Sequence, residues 1–133
     1  MNSFVCIMKY MDYCIGFTTE DSKYRVYFIN LSKKPLKVYQ ESLGMMGELD
    51  GEPLTTNVAK IGLGTVQPKS SVLIEESDIE GLEDRVIFSI YVEKGSKEYK
   101  HSFTLPSIYR AQNANLATLP VVNEEGLLLD FLS

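Results

Sequence analysis

Between Arg85 and Pro106 the chain reads RVIFSIYVEKGSKEYKHSFTLP, two runs of alternating residues on either side of Gly95-Ser96. Glycine followed by serine suits a two-residue type II′ turn, whose first central position takes the positive φ that glycine adopts without a steric cost. That turn sets the register of a β-hairpin. Lys94 faces Lys97, Val92 faces Tyr99, Ile90 faces His101, Phe88 faces Phe103 and Val86 faces Leu105, so one face is almost wholly apolar. The other face pairs Glu93 with Glu98, Tyr91 with Lys100, Ser89 with Ser102 and Ile87 with Thr104, a mixture suited to solvent or to the margin of another element. A slip of one residue would turn Val86, Phe88, Ile90 and Val92 to the wrong side, so burial of the apolar face defends the pairing. A lone hairpin is marginal in water, and its apolar side chains require a second layer from the rest of the chain.

The same alternation recurs upstream. Phe4, Cys6, Met8 and Tyr10, then Tyr13, Ile15 and Phe17, alternate with a change of parity near Met11-Asp12, as one bulged strand or two short strands would. Lys23 to Leu31 places Tyr24, Val26 and Phe28 on one face and Tyr27 and Ile29 on the other, the pattern of a central strand covered on both sides. Ser32-Lys33-Lys34-Pro35 ends that strand, and Leu36 to Glu41 resumes with Leu36 and Val38 inward. Lys60 to Val66 and Ser71 to Glu76 read as strands joined by Gln67-Pro68-Lys69-Ser70, with Val72 and Ile74 sharing a face. The glycine-rich stretch from Ser42 to Asn57 has no period and reads as a long loop with room for a short strand.

Short strands with turn signals about every ten residues and no strand–helix alternation predict a single all-β domain over residues 1–133. The expected architecture is an antiparallel immunoglobulin-like β-sandwich, with a small β-barrel as the alternative, and an irregular or short helical C-terminal segment. Ser107 is placed to cap a short helix over residues 108–116, although Asn113 and Asn115 weaken it.

Composition narrows the function. The net charge of −5 disfavours phosphate backbones and anionic lipid, so neither nucleic acid nor membrane is expected as a partner. The local basic cluster Lys33, Lys34 and Lys37 reads as a solvated turn. Cys6 and Cys14 fit neither a zinc ribbon nor a redox Cys-x-x-Cys pair and read as reduced thiols of a soluble cytoplasmic protein. No stretch reaches the ~20 apolar residues of a membrane-spanning helix. Glu75, Glu76, Asp78, Glu80, Glu83 and Asp84 form an acidic run without EF-hand spacing, which reads as a solvated crossover tacked down by Ile79 and Leu82, so no metal is assigned. No phosphate loop, dinucleotide fingerprint or nucleophile elbow occurs, and no cofactor is expected.

Nucleophilic catalysis would rest on His101, the only histidine, which the hairpin register places on the apolar side opposite Ile90. Apolar groups without an evident place in the hairpin layers supply the interface candidates. Met45 and Met46 lie in the irregular loop, and Leu127, Leu128, Leu129, Phe131 and Leu132 crowd the C-terminal stretch, with Leu128, Leu129 and Leu132 on one face if it is helical. The expectation is a non-enzymatic interaction or accessory module that binds a protein partner or itself through a sheet edge, the 42–57 loop or the C-terminal apolar segment. A small-ligand binder or hydrolase with a cleft near His101, and a structural subunit of a larger assembly, are the alternatives.

Overall fold

A computed structural model describes residues 12–42, 47–49, 52–54, 59–82, 87–107, 110–111 and 116–132. Among these residues eleven strands follow in chain order: β1 (Tyr13–Glu20), β2 (Lys23–Asn30), β3 (Leu36–Ser42), β4 (Gly47–Leu49), β5 (Glu52–Leu54), β6 (Ala59–Val66), β7 (Ser70–Asp78), β8 (Ile87–Lys94), β9 (Lys97–Thr104), β10 (Ala117–Thr118) and β11 (Glu125–Leu129). One sheet has the order β10-β11-β1-β2-β7 and the other β6-β3-β8-β9, while β4 and β5 pair only with each other. Neither sheet closes on itself, so the fold is an antiparallel β-sandwich and not a barrel.

The β8–β9 hairpin has the register that its turn dictates, from Lys94 opposite Lys97 to Ile87 opposite Thr104. Gly95 holds φ +64, and Ser96 does not share the positive φ, as a type II′ turn requires. Val86 lies outside the described residues. Alternation then fills the core. Ile15 and Phe17 from β1, Val26 and Phe28 from β2, Leu36 and Val38 from β3, Ile90 and Val92 from β8 and Phe103 from β9 are all buried between the sheets. Val72 and Ile74 of β7 also face this layer, and Ile79 and Leu82 of a 3₁₀ turn (Ile79–Leu82) pin the acidic crossover to it. The turn from Gln67 to Ser70 closes with a Ser70 N–H donating to Gln67 O at 3.2 Å and carries the chain from one sheet to the other.

The outer face of the β1 sheet is covered too. Leu119 is fully buried, and its methyl groups lie where a Cβ on Gly16 or Gly126 would stand, at 2.9 Å. Ile29 is buried on this side, as the double-sided pattern of β2 anticipates. A Cβ on Gly126 would also fall 2.3 Å from the Phe17 carbonyl oxygen, so only glycine lets β11 approach β1 here.

The C-terminal stretch corrects the sequence reading. Glu125–Leu129 is a strand, paired antiparallel with β1 from Ile15 opposite Leu129 to Phe17 opposite Leu127. A run of three leucines carries no period that separates helix from strand, and the hydrogen-bonding edge of β1 decides it. Ser107 does cap a helical turn: its Oγ accepts from the Arg110 N–H at 3.3 Å and its carbonyl from the Ala111 N–H at 2.9 Å. The loop between β3 and β6 contains the β4–β5 hairpin.

Candidate interaction surface

Of the interface candidates, Met45 and Met46 lie outside the described residues. Leu127 and Leu129 face the core, with Leu129 buried, and Leu128 sits half-buried on the other face of β11. After β11 the chain turns across the side of the sandwich. Phe131 packs against the core, and the Leu132 N–H donates to Ser102 O of β9 at 2.7 Å, leaving the Leu132 side chain exposed. The segment therefore straps the two sheets together and ends on the β9 edge.

His101 lies under this strap. Phe131 stacks on the imidazole with ring centroids 4.2 Å apart and planes 18° apart, and Tyr13 meets it edge-on at 5.3 Å. The Tyr13 hydroxyl and His101 Nε2 are 2.5 Å apart. Burial, the Asp12 carboxylate and Tyr99 push the Tyr13 phenol up to about 12, so it stays protonated and donates. Burial also lowers the His101 pKa, so Nε2 is the acceptor of a neutral ring whose proton is on Nδ1. The sequence offered no signal for Tyr13 as the partner, since the two residues lie on different sheets.

Cys14 does not complete a nucleophile–base pair with His101. Strand alternation turns it to the face of β1 opposite Tyr13, and burial pushes its thiol up to about 12, leaving it protonated. Ser89 and Ser102 share an Oγ–Oγ hydrogen bond of 2.8 Å, but strand alternation places both on the face of their sheet opposite His101. Cys6 lies outside the described residues. Within the described residues, the His101 cluster is a packed aromatic seam with one internal hydrogen bond.

The sheet edges differ in kind. β10 is two residues long. β7 is bulged against β2 at Val26/Tyr27 and ends in Glu75, Glu76 and Asp78, and β6 is bulged against β3 at Val38/Tyr39, with Gly64 at φ +93. Short length, bulges and charge are the devices that keep edges from pairing with other chains. β9 is eight residues long with an unbroken register to β8. Two of its charges are paired within its own sheet, Glu98 with Lys60 at 2.7 Å and Lys100 with Glu41 at 3.5 Å. Because the Lys94–Lys97 pair closes a two-residue turn, the main-chain groups of Glu98, Lys100, Ser102 and Thr104 point away from β8. The Leu132 bond to Ser102 O uses one of them.

Below that bond lies a notch of about 180 Å³ lined by Thr104, Arg110, Leu128, Leu129, Asp130 and Leu132. Thr104 Oγ1 is buried with no hydrogen-bond partner among the described residues. Tyr99, at the other end of β9, and Leu132 are large apolar groups left exposed along this edge.

Comparison with protein-family models and with curated proteins found no match for this chain. Among the described residues no helix is long and apolar enough to cross a membrane.

Proposed function

We propose that the chain is a non-enzymatic interaction module on an immunoglobulin-like sandwich, and that it takes an extended segment of a protein partner onto the turn-proximal part of the β9 edge, around Glu98 and Lys100. The observation that carries this reading is the contrast between edges: β6, β7 and β10 are bulged or short, and β9 keeps an unbroken register, with Leu132 bonded to Ser102 O on its outer side and its Glu98 and Lys100 main-chain groups unpaired among the described residues. Main-chain hydrogen bonds to Glu98 and Lys100 would supply affinity, and Tyr99 and Leu132 would bracket the added strand. The buried, unpartnered Thr104 Oγ1 in the adjoining notch favours a partner that supplies a polar group there. The immunoglobulin-like assignment draws on the order β1-β2-β7 opposite β6-β3-β8-β9, with β11 as an added strand. Cys14 is buried with no disulfide partner among the described residues, which suits a reducing compartment, and we propose the cytoplasm as the protein's location.

The substitution Lys100→Pro tests this proposal. Proline removes an outward-pointing N–H of β9 and leaves the ladder to β8 intact, a position where edge strands tolerate it. Solution mass by light scattering, together with capture of partners from the native host, should show binding by the wild type and none by Lys100→Pro with the far-ultraviolet spectrum unchanged. If the partner is a second copy, the wild type reaches about 30 kDa, twice the 15.0 kDa of one chain, and the variant does not. Association that survives Lys100→Pro but is lost in Leu128→Asp would move the interface from the β9 edge to the outer face of β11.

A further inference from the structure

The end of the sandwich where β2 passes to β3 gathers positive charge from three turns. Lys33 and Lys34 from the β2–β3 loop, Lys69 from the β6–β7 turn and Lys94 from the end of β8 line an open depression of about 400 Å³, together with Asp12 and Ser32. Four ammonium groups against one carboxylate, in a chain of net charge −5, give this end a sign opposite to that of the whole molecule. Lys94 is paired with Asp12, whereas Lys33 and Lys34 make no ion pair among the described residues.

These lysines are carried on a pinned frame. Asn30 is fully buried at the end of β2, and its Nδ2 donates to Lys34 O and Val66 O at 2.9 Å and to Gln67 O at 3.2 Å. Its Oδ1 accepts from the Ser32 N–H at 2.9 Å and from the Ser32 hydroxyl at 2.7 Å. One amide thus joins the β2–β3 loop to the β6–β7 turn, and the Lys69 ammonium adds a bond to Leu31 O. Lys69 holds φ +56, the left-handed position that glycine would fill without strain. The frame fixes the backbone from which the lysines project, so only side-chain freedom is lost when an anion arrives. The volume is that of a small-ligand site, and a concave site of that size does not suit a nucleic-acid backbone.

We propose that this depression binds a multivalent oxyanion of the phosphate class, either free or as the phosphate group of a small ester. Lys33, Lys34 and Lys69 contact its oxygens, and Lys94 exchanges Asp12 for the ligand. The site is separate from the β9 edge.

The test is an amide-resolved titration of the full chain with inorganic phosphate, pyrophosphate and glycerol phosphate, in buffer of about 10 mM ionic strength, where screening is weak. Saturable shifts confined to residues 30–34, 66–70 and 93–96 are expected. Lys34→Gln and Lys69→Gln should each weaken binding about tenfold, and Asp12→Asn should strengthen it by freeing Lys94. Lys60→Gln, on the outer face of β6, should change nothing. Binding to glycerol phosphate as well as to the inorganic ions assigns the site to esters, and binding to the inorganic ions alone assigns it to the free anion. Absence of saturation, or equal weakening by Lys60→Gln, overturns the proposal. So does a rise in solution mass at low salt that Lys34→Gln abolishes without phosphate binding, which would make the acidic end of a second copy the occupant.

Discussion

Asn30 shows how much one buried amide can govern. It presents two donors to three carbonyls and an acceptor to two donors, so no other side chain of its size reproduces the set. Asn30→Asp would turn a carboxylate oxygen toward those carbonyls, and the expected loss is about 3 kcal/mol or more in urea unfolding, with Asn30→Ala costing about 2 kcal/mol. Nothing in Phe-Ile-Asn-Leu marks this residue as a hub, because its partners at Val66 and Gln67 become neighbours only when β2 and β6 end side by side. His101 gives the molecule its acid limb. Its folded pKa lies below the ordinary 6.5, so as pH falls below 6.5 the unfolded chain takes up a proton that the folded one refuses. Stability should therefore decline from pH 6.5 downward until the folded ring also protonates, and His101→Phe should flatten that decline in pH-dependent melting. The alkaline limb has the opposite sign. Cys14 and Tyr13 ionise from 9.0 and 10.0 in the unfolded chain but only near 12 when folded, so stability should fall from about pH 9 upward, less steeply in Cys14→Ala.

Elements whose information is local were legible, and elements whose partner is distant were not. The β8–β9 register could be read because turn chemistry and period-2 alternation both lie within twenty residues, and Leu36, Val38, Val26 and Phe28 declared their burial through parity alone. β11 could not be read, because its conformation depends on an edge of β1 that the chain leaves unpaired over a hundred residues earlier. The signal that survives is Gly126, which fits a strand in close contact better than a helix interior. Gly126→Ala should destabilise the fold by about 3 kcal/mol in chemical denaturation, since its new methyl meets the Phe17 carbonyl, which cannot move without disturbing the β1–β11 pairing. Nothing in the sequence singles out the β9 edge from the other sheet edges. Its distinction lies in what the other edges have, and bulges at Val38/Tyr39 and Val26/Tyr27 are properties of paired strands.

At the scale of the molecule, the two sheets are joined on both flanks. On one side the β6–β7 turn crosses between them, and on the other Tyr13 reaches His101 while Leu132 reaches Ser102. Sheets coupled this way should unfold as one cooperative unit. Tyrosine near-ultraviolet signal and far-ultraviolet signal are expected to lose native intensity at the same urea concentration, and Phe131→Ala should shift both together; separate midpoints would show that the sheets melt independently.

The pairing of β1 with β11 also sets a timetable. β2 follows β1 directly in the chain, yet the neighbour that pairs along the other edge of β1 is synthesised more than a hundred residues after it. Through that interval Cys14, Gly16 and the apolar groups around them form an uncovered β-edge on a nascent chain. Such an edge is the kind of surface that chaperones hold and that seeds aggregation when expression outruns them. Yield in a host should therefore depend more on translation speed than on the stability of the finished fold.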